Sequence, residues 1–146
     1  MQLYLKFLKF FGMNIVGTPR YIGIDVVFDD FNLITLNERV VISNNCHFLT
    51  HDYSLTTALI SIGEKPSSDM SFFGEIIVGK NVFIGKKSIV LPNTTIGDNV
   101  IVGAGSIVRG KIPSNSIIAG NPARVIANIK DTANSWKGSI KEAKSD

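Results

Sequence analysis

The chain has 146 residues, 45% hydrophobic and 18% charged, enough for one domain with its own core and too few for two comfortable ones. Fifteen Lys and Arg against twelve Asp and Glu give a formal charge of +3, and no basic run exceeds Lys86-Lys87; that excess suits a phosphorylated ligand and argues against a nucleic-acid binder. The single Cys46 can form no internal disulfide and joins no Cys/His zinc pattern, so nothing calls for an oxidising compartment or a metal, and the cytoplasm is the expected location.

The segment 1–17 begins with an apolar stretch, Met1 to Gly12, interrupted by Lys6 and Lys9. A spanning helix needs roughly 20 apolar residues, so this stretch does not span, and no small-x-small site marks it as a signal peptide. Two readings stand: a short helix covering the open end of the core, or a peripheral membrane contact of the interfacial, amphipathic kind.

From 20 to 51 aliphatic and aromatic residues recur at intervals of six, at Ile22 and Phe28 and then at Leu36, Ile42 and Phe48. The step from 28 to 36 is eight, which predicts a two-residue register slip near Phe31-Asn32-Leu33. The only histidines, His47 and His51, fall at the end of this stretch. His47 ends a hexad and is expected to face solvent, whereas His51 stands where the sixes stop. Between 52 and 75 the period vanishes, and Pro66, Ser67, Ser68, Asp69 and Gly74 read as a long excursion, a length uncommon in a compact domain unless it is functional.

The sixes return over 76–127 in their strongest form. Val78–Val90 laid over Ile96–Val108 matches at seven of thirteen positions, an offset of eighteen. An α-helix would space apolar residues by three and four; strict sixes describe short strands separated by turns, three strands to a coil. Residues eighteen apart then stack, Ile84 on Val102 and Val82 on Val100, inside a narrow prism, with Ser88 and Ser106 where the interior tapers. Gly79, Gly85, Gly97 and Gly103 are expected to give the backbone freedom to turn the corners. The tail, 128–146, with the lone Trp136, carries no readable signal.

These sixes, the AGSIV segment at 104–108, the closing Ile118-Ala-Gly-Asn-Pro-Ala-Arg-Val-Ile126 and Thr50-His51-Asp52-Tyr53-Ser54 together resemble the hexapeptide-repeat acyltransferases, and most of all the branch that O-acetylates bacterial surface sugars. The resemblance covers about 20–127. It implies an all-β, left-handed parallel β-helix, a homotrimer with its sites at the seams, acetyl-coenzyme A as donor without a metal, and a sugar or polysaccharide acceptor. By the same resemblance His51 is the base that deprotonates the acceptor hydroxyl, with Asp52 the candidate to steady its imidazole. Coenzyme A is then expected near Gly85, Ala104, Gly105 and Ser106, with Arg109, Lys111 and Arg124 toward its phosphates. Many relatives carry Lys at the place of Gly110, which leaves the individual phosphate contact open.

Histidine is the side chain best suited to accept a proton near neutral pH, and a thioester donor needs no covalent enzyme intermediate, consistent with the lack of a Gly-x-Ser-x-Gly elbow. The excursion beside the base carries Tyr53, Phe72 and Phe73, aromatic platforms for an acceptor sugar. Alternatives are N-acetylation of an amino-sugar nucleotide and a non-catalytic hexapeptide scaffold. His47-Phe-Leu-Thr-His-Asp52 also fits the His-x-x-x-x-Asp pattern of glycerolipid acyltransferases, but the flanking sixes argue for coincidence. A γ-class carbonic anhydrase on the same coil needs three zinc-binding histidines, and the chain has two.

Overall fold

The computed structural model describes residues 2–137. Helix α1 (Gln2–Phe10) comes first and packs Tyr4, Leu5 and Leu8 on the core beside Met13 and Ile15. Strands β1 (Asn14–Ile15), β2 (Tyr21–Ile22) and β3 (Val27–Phe28) make one turn of coil, and β4 (Ile34–Leu36), β5 (Val41–Ile42) and β6 (His47–Phe48) the next. The chain leaves the prism through β7 (His51–Asp52), α2 (Ser54–Ser61) and β8 (Phe72–Phe73). It re-enters at β9 (Ile76–Val78), β10 (Phe83–Ile84) and β11 (Ile89–Val90), and continues with β12 (Thr94–Ile96), β13 (Ile101–Val102) and β14 (Ile107–Val108). β15 (Lys111–Ile112) and β16 (Ser116–Gly120) begin a last turn, β17 (Ala123–Asn128) doubles back on β16, and α3 (Ile129–Lys137) follows. Of the tail, 138–146 lie outside the described residues, and Trp136 is exposed on α3.

Three flat faces result. The first is β1-β4-β9-β12-β15, the second β2-β5-β10-β13-β16-β17 and the third β3-β6-β11-β14, parallel throughout except for the β16–β17 pair. Register follows the sequence period: Ile84 pairs with Val102 and Val90 with Val108, eighteen positions on. Tyr21 and Val27 pair with Val41 and His47, twenty on, and the two extra residues sit in a 3-10 turn at Phe31–Leu33. Across the excursion Ile42 pairs with Ile84 and Phe48 with Val90, forty-two on, so twenty-four residues are inserted without disturbing the stacking. Inward side chains at successive levels form one continuous apolar column with Ile34, Leu36, Phe48, Ile76, Ile84 and Ile96 fully buried. Ser88 and Ser106 are buried too, each hydroxyl donating to a carbonyl of its own corner, Gly85 O at 2.7 Å and Gly103 O at 2.6 Å.

The corners are built differently from the sequence expectation. Gly79, Gly85, Gly97 and Gly103 have no left-handed backbone; the positive φ angles fall two residues later, at Asn81, Lys87, Asn99 and Gly105. Gly79, Gly85 and Gly97 are needed for close stacking instead: a Cβ at Gly85 would lie 2.6 Å from the Ala104 nitrogen, one at Gly79 2.6 Å from the Gly97 carbonyl oxygen and one at Gly97 2.7 Å from the Ser114 nitrogen, whereas one at Gly103 would come no nearer than 3.0 Å to the Ala119 Cβ. Asparagine tolerates the left-handed region, and three such residues form a ladder along one corner, Asn81 Nδ2 donating to Asn99 Oδ1 at 2.9 Å and Asn99 Nδ2 to Asn115 Oδ1 at 3.2 Å.

The excursion is not a plain loop. Its run Ser54-Leu-Thr-Thr-Ala-Leu-Ile-Ser61 is helical, and β7 and β8 pair antiparallel as a small sheet of their own, His51 opposite Phe73 and Asp52 opposite Phe72. The Thr56 hydroxyl ties helix to returning strand, accepting from Met70 N–H at 2.7 Å.

Candidate active site

The edge of the prism between the third and first faces carries His51. Just before it, Thr50 is fully buried, and its hydroxyl donates to Asp30 Oδ2 at 2.6 Å while accepting from Asp30 N–H at 3.1 Å. Asp29 Oδ2 accepts from Thr50 N–H at 3.3 Å. This reciprocal lock fixes two carboxylates under the imidazole: His51 Nδ1 is 3.0 Å from Asp30 Oδ2 and 3.7 Å from Asp29 Oδ2. Hydrogen bonds from Thr50 and His51 hold the Asp30 carboxyl below the usual carboxylate range, so it is ionised near neutrality and can only accept. Nδ1 therefore carries the proton and the Nε2 lone pair is left free. The hydrogen bond to Asp30 raises the His51 pKa above the ordinary histidine value; partial burial opposes it, and the charges of Asp29 and Asp30 add to it.

The His51 side chain is one-third exposed, with the rings of Tyr53 and Phe73 at 5.5 and 5.8 Å. Asp52 and Phe72, the neighbouring pair on β7 and β8, line an open cleft of about 210 Å³ with Leu91, Pro92, Asn93 and Arg109, and His51 is not among its lining residues. The expected aromatic residues Tyr53, Phe72 and Phe73 are thus all at this edge and all exposed.

Asp52 is turned to another task. Its Oδ1 accepts from Ser54 N–H at 2.8 Å at the start of α2, which lowers its pKa, and the residue that orients His51 is Asp30. Sequence reasoning missed Asp30, yet a signal was present: with Phe28 stacked on Phe48, counting two residues on sets Asp30 beside Thr50. His47, on β6, points outward from the third face, away from this cluster.

The residues expected for coenzyme A divide between places. Gly85, Ala104, Gly105 and Ser106 stack in the turns linking the second and third faces, a different edge from that of His51, with Gly105 N–H donating to Lys86 O at 2.8 Å. The Ser106 hydroxyl is used inside the wall, donating to Gly103 O and accepting from Gly120 N–H at 3.2 Å, so it offers a ligand no side-chain contact. Arg109 belongs with the His51 edge, in the cleft with Asp52 and Phe72, and Lys111 points outward on the first face beside Thr95. Arg124 lies exposed on β17 opposite Ala119. Among the described residues no group of three or more His, Cys, Asp or Glu is placed to hold a metal ion.

Comparison with known proteins fits this architecture. Residues 75–110 match the bacterial transferase hexapeptide (six repeats) family. Galactoside O-acetyltransferase of Escherichia coli K12 is 35% identical over 83% of this chain and 57% of its own length, so the chain spans little more than half of that relative. Protein CapG of Staphylococcus aureus is 36% identical over 82% of this chain and 67% of its own length. A hexapeptide-repeat acetyltransferase from Vibrio cholerae, solved with acetyl coenzyme A, superposes with a TM-score of 0.69 at 27% identity, covering 82% of this chain and 62% of the other. A prism of stacked hexads, with its closing motif in place and a relative matched over two-thirds of its length, makes this chain a member of the bacterial transferase hexapeptide family.

Proposed function

We propose that the protein is an acetyl-CoA-dependent O-acetyltransferase acting on a sugar hydroxyl of a surface polysaccharide or its precursor, built on a left-handed coil and working as a homotrimer. The observation that carries the reading is the His51–Asp30 pair, flanked by the rings of Tyr53 and Phe73, with Nε2 free. The acetylating relatives support the donor and the sugar-type acceptor. The trimer is supported by the division of the site: the base lies on one edge of the prism and the Ala104–Gly105 corner on another, so a seam between two copies unites what one chain keeps apart.

In this mechanism Nε2 takes the proton of the acceptor hydroxyl as its oxygen bonds to the thioester carbonyl carbon. The tetrahedral adduct collapses with cleavage of the carbon–sulfur bond, and the imidazolium returns the proton to the departing thiolate. Asp30 holds the ring in the tautomer that presents Nε2 and stabilises the imidazolium between the two proton transfers.

Asp30→Asn is expected to lower kcat by about one to two decades at the optimum, less than loss of the base itself. The base works as neutral imidazole, so activity rises as pH climbs through its pKa. Because the Asp30 carboxylate raises that pKa, the variant's acid limb should move to lower pH. A pH–kcat profile reads both effects, and an acid limb that does not move would exclude Asp30 as the partner.

The reaction itself is tested by free-thiol release from acetyl-CoA with and without added sugars. Release that depends on the sugar is the expected result; a scaffold would give none. A charge-assisted contact is worth about 1.5 to 3 kcal/mol, so Arg124→Ala should raise the acetyl-CoA KM by about one to two decades and leave the acceptor KM alone. Phe72→Ala should do the reverse. If Phe72→Ala disturbs only the donor, the assignment of the cleft to the acceptor is wrong.

A further inference from the structure

Helix α1 is apolar on two sides. Tyr4, Leu5 and Leu8 face the core, while Leu3, Phe7, Phe10 and the following Phe11, spaced as one helical stripe, face outward. Leu3 is 81% exposed and Phe10 84%, unusual values for side chains of this size on a folded domain. The stripe is organised rather than frayed: the Phe11 ring lies 4.6 Å from Phe7 and 5.2 Å from Phe10, and it reaches Phe31 at 6.1 Å. Gln2, Lys6 and Lys9 fill the remaining arc, so ammonium groups border the aromatic row. The first 24 residues carry Lys6, Lys9 and Arg20 and no carboxylate at all.

We propose that this stripe docks on the surface of an anionic lipid bilayer, the aromatic and leucine side chains entering the interface and Lys6 and Lys9 meeting lipid phosphates. The charge pattern selects this occupant. A negative lipid surface satisfies the apolar and cationic groups together, and residues 1–24 bring no carboxylate of their own to oppose it; burial against a neighbouring copy is the alternative that the test below excludes. No described helix is long and apolar enough to cross a membrane, so the contact lies in the plane of the interface. The proposal does not depend on acetyl transfer, and its test reads binding alone.

The test is co-sedimentation with vesicles of phosphatidylglycerol and phosphatidylcholine, against vesicles of phosphatidylcholine alone, at about physiological ionic strength. The whole chain should pellet with the anionic vesicles. The double variant Phe7→Ser/Phe10→Ser should bind them at least tenfold more weakly with an unchanged melting temperature, since neither side chain is in the core. Lys6→Glu/Lys9→Glu should abolish the preference for anionic lipid. Wild-type protein that stays in the supernatant, or a serine variant that binds as well as wild type, would overturn the proposal. So would a fall in the light-scattering mass of the serine variant in the absence of lipid, because the stripe would then be an interface between copies.

Discussion

His51→Ala is expected to lower kcat by roughly 10²- to 10⁴-fold, the usual worth of a positioned general base, with acetyl-CoA KM little changed. The size follows from the geometry. Nδ1 is committed to Asp30 at 3.0 Å, the second carboxylate lies 3.7 Å away, and among the described residues the only other histidine, His47, faces outward on the third face. With the imidazole gone, the acceptor hydroxyl keeps its proton until after it has attacked, and Asp30, its own pKa held low, is too weak a base to substitute. The loss should appear in single-turnover acetylation as well as in the steady state, because it acts on chemistry and not on product release. The side chain is one-third exposed, so the variant should fold normally by circular dichroism. His47→Ala should retain kcat within a factor of about two. If His47→Ala is the inactive variant and His51→Ala the active one, the reading of this edge fails.

The largest effect on stability is expected from Phe48→Ala. Phe48 is fully buried, pairs with Phe28 and Val90 across β3 and β11, and stacks its ring 5.0 Å from that of Phe28. Removing a buried phenyl ring from a site that cannot collapse costs about 3 to 5 kcal/mol, and a coil whose levels are held in register above and below is poorly able to close the gap. Denaturant unfolding at one fixed protein concentration measures it. A loss below about 1 kcal/mol would mean that the coil slides to fill the void, contrary to the rigid stacking of the three faces. Phe48 lies two residues before Thr50, so the variant should also lower kcat wherever it still folds.

Much of the coil could be read from the chain because its constraint is periodic: each inward position must be apolar at every level, so Val78, Ile84, Val90, Ile96, Val102 and Val108 announce both strand and face. The slip at 28–36 was legible for the same reason, as a broken count. The corners were misread because glycine serves two needs, a left-handed backbone and the absence of a Cβ. At Gly79 and Gly85 only the second applies, while the left-handed positions are taken by Asn81 and Lys87. The partner of His51 was missed because Asp30 lies twenty-one residues earlier and comes near only through stacking, whereas adjacent Asp52 is drawn to the Ser54 amide. Helix α2 was missed because its apolar residues face no core: none of its side chains is buried, so no periodic burial marks it.

The reversal at β17 has a consequence for size. A parallel coil has no intrinsic length, since each level presents the next with the same row of unpaired amides and carbonyls, and an open final level could template a further one from another molecule. After Gly120 the chain turns back, and Ala123–Asn128 fills the last row of the second face in the opposite direction. At the other end α1 lies against the first turn. On that face an incoming strand from a second molecule meets a reversed neighbour rather than a continuation of the coil, so the closing hairpin removes one of the three rows on which end-to-end growth could be templated.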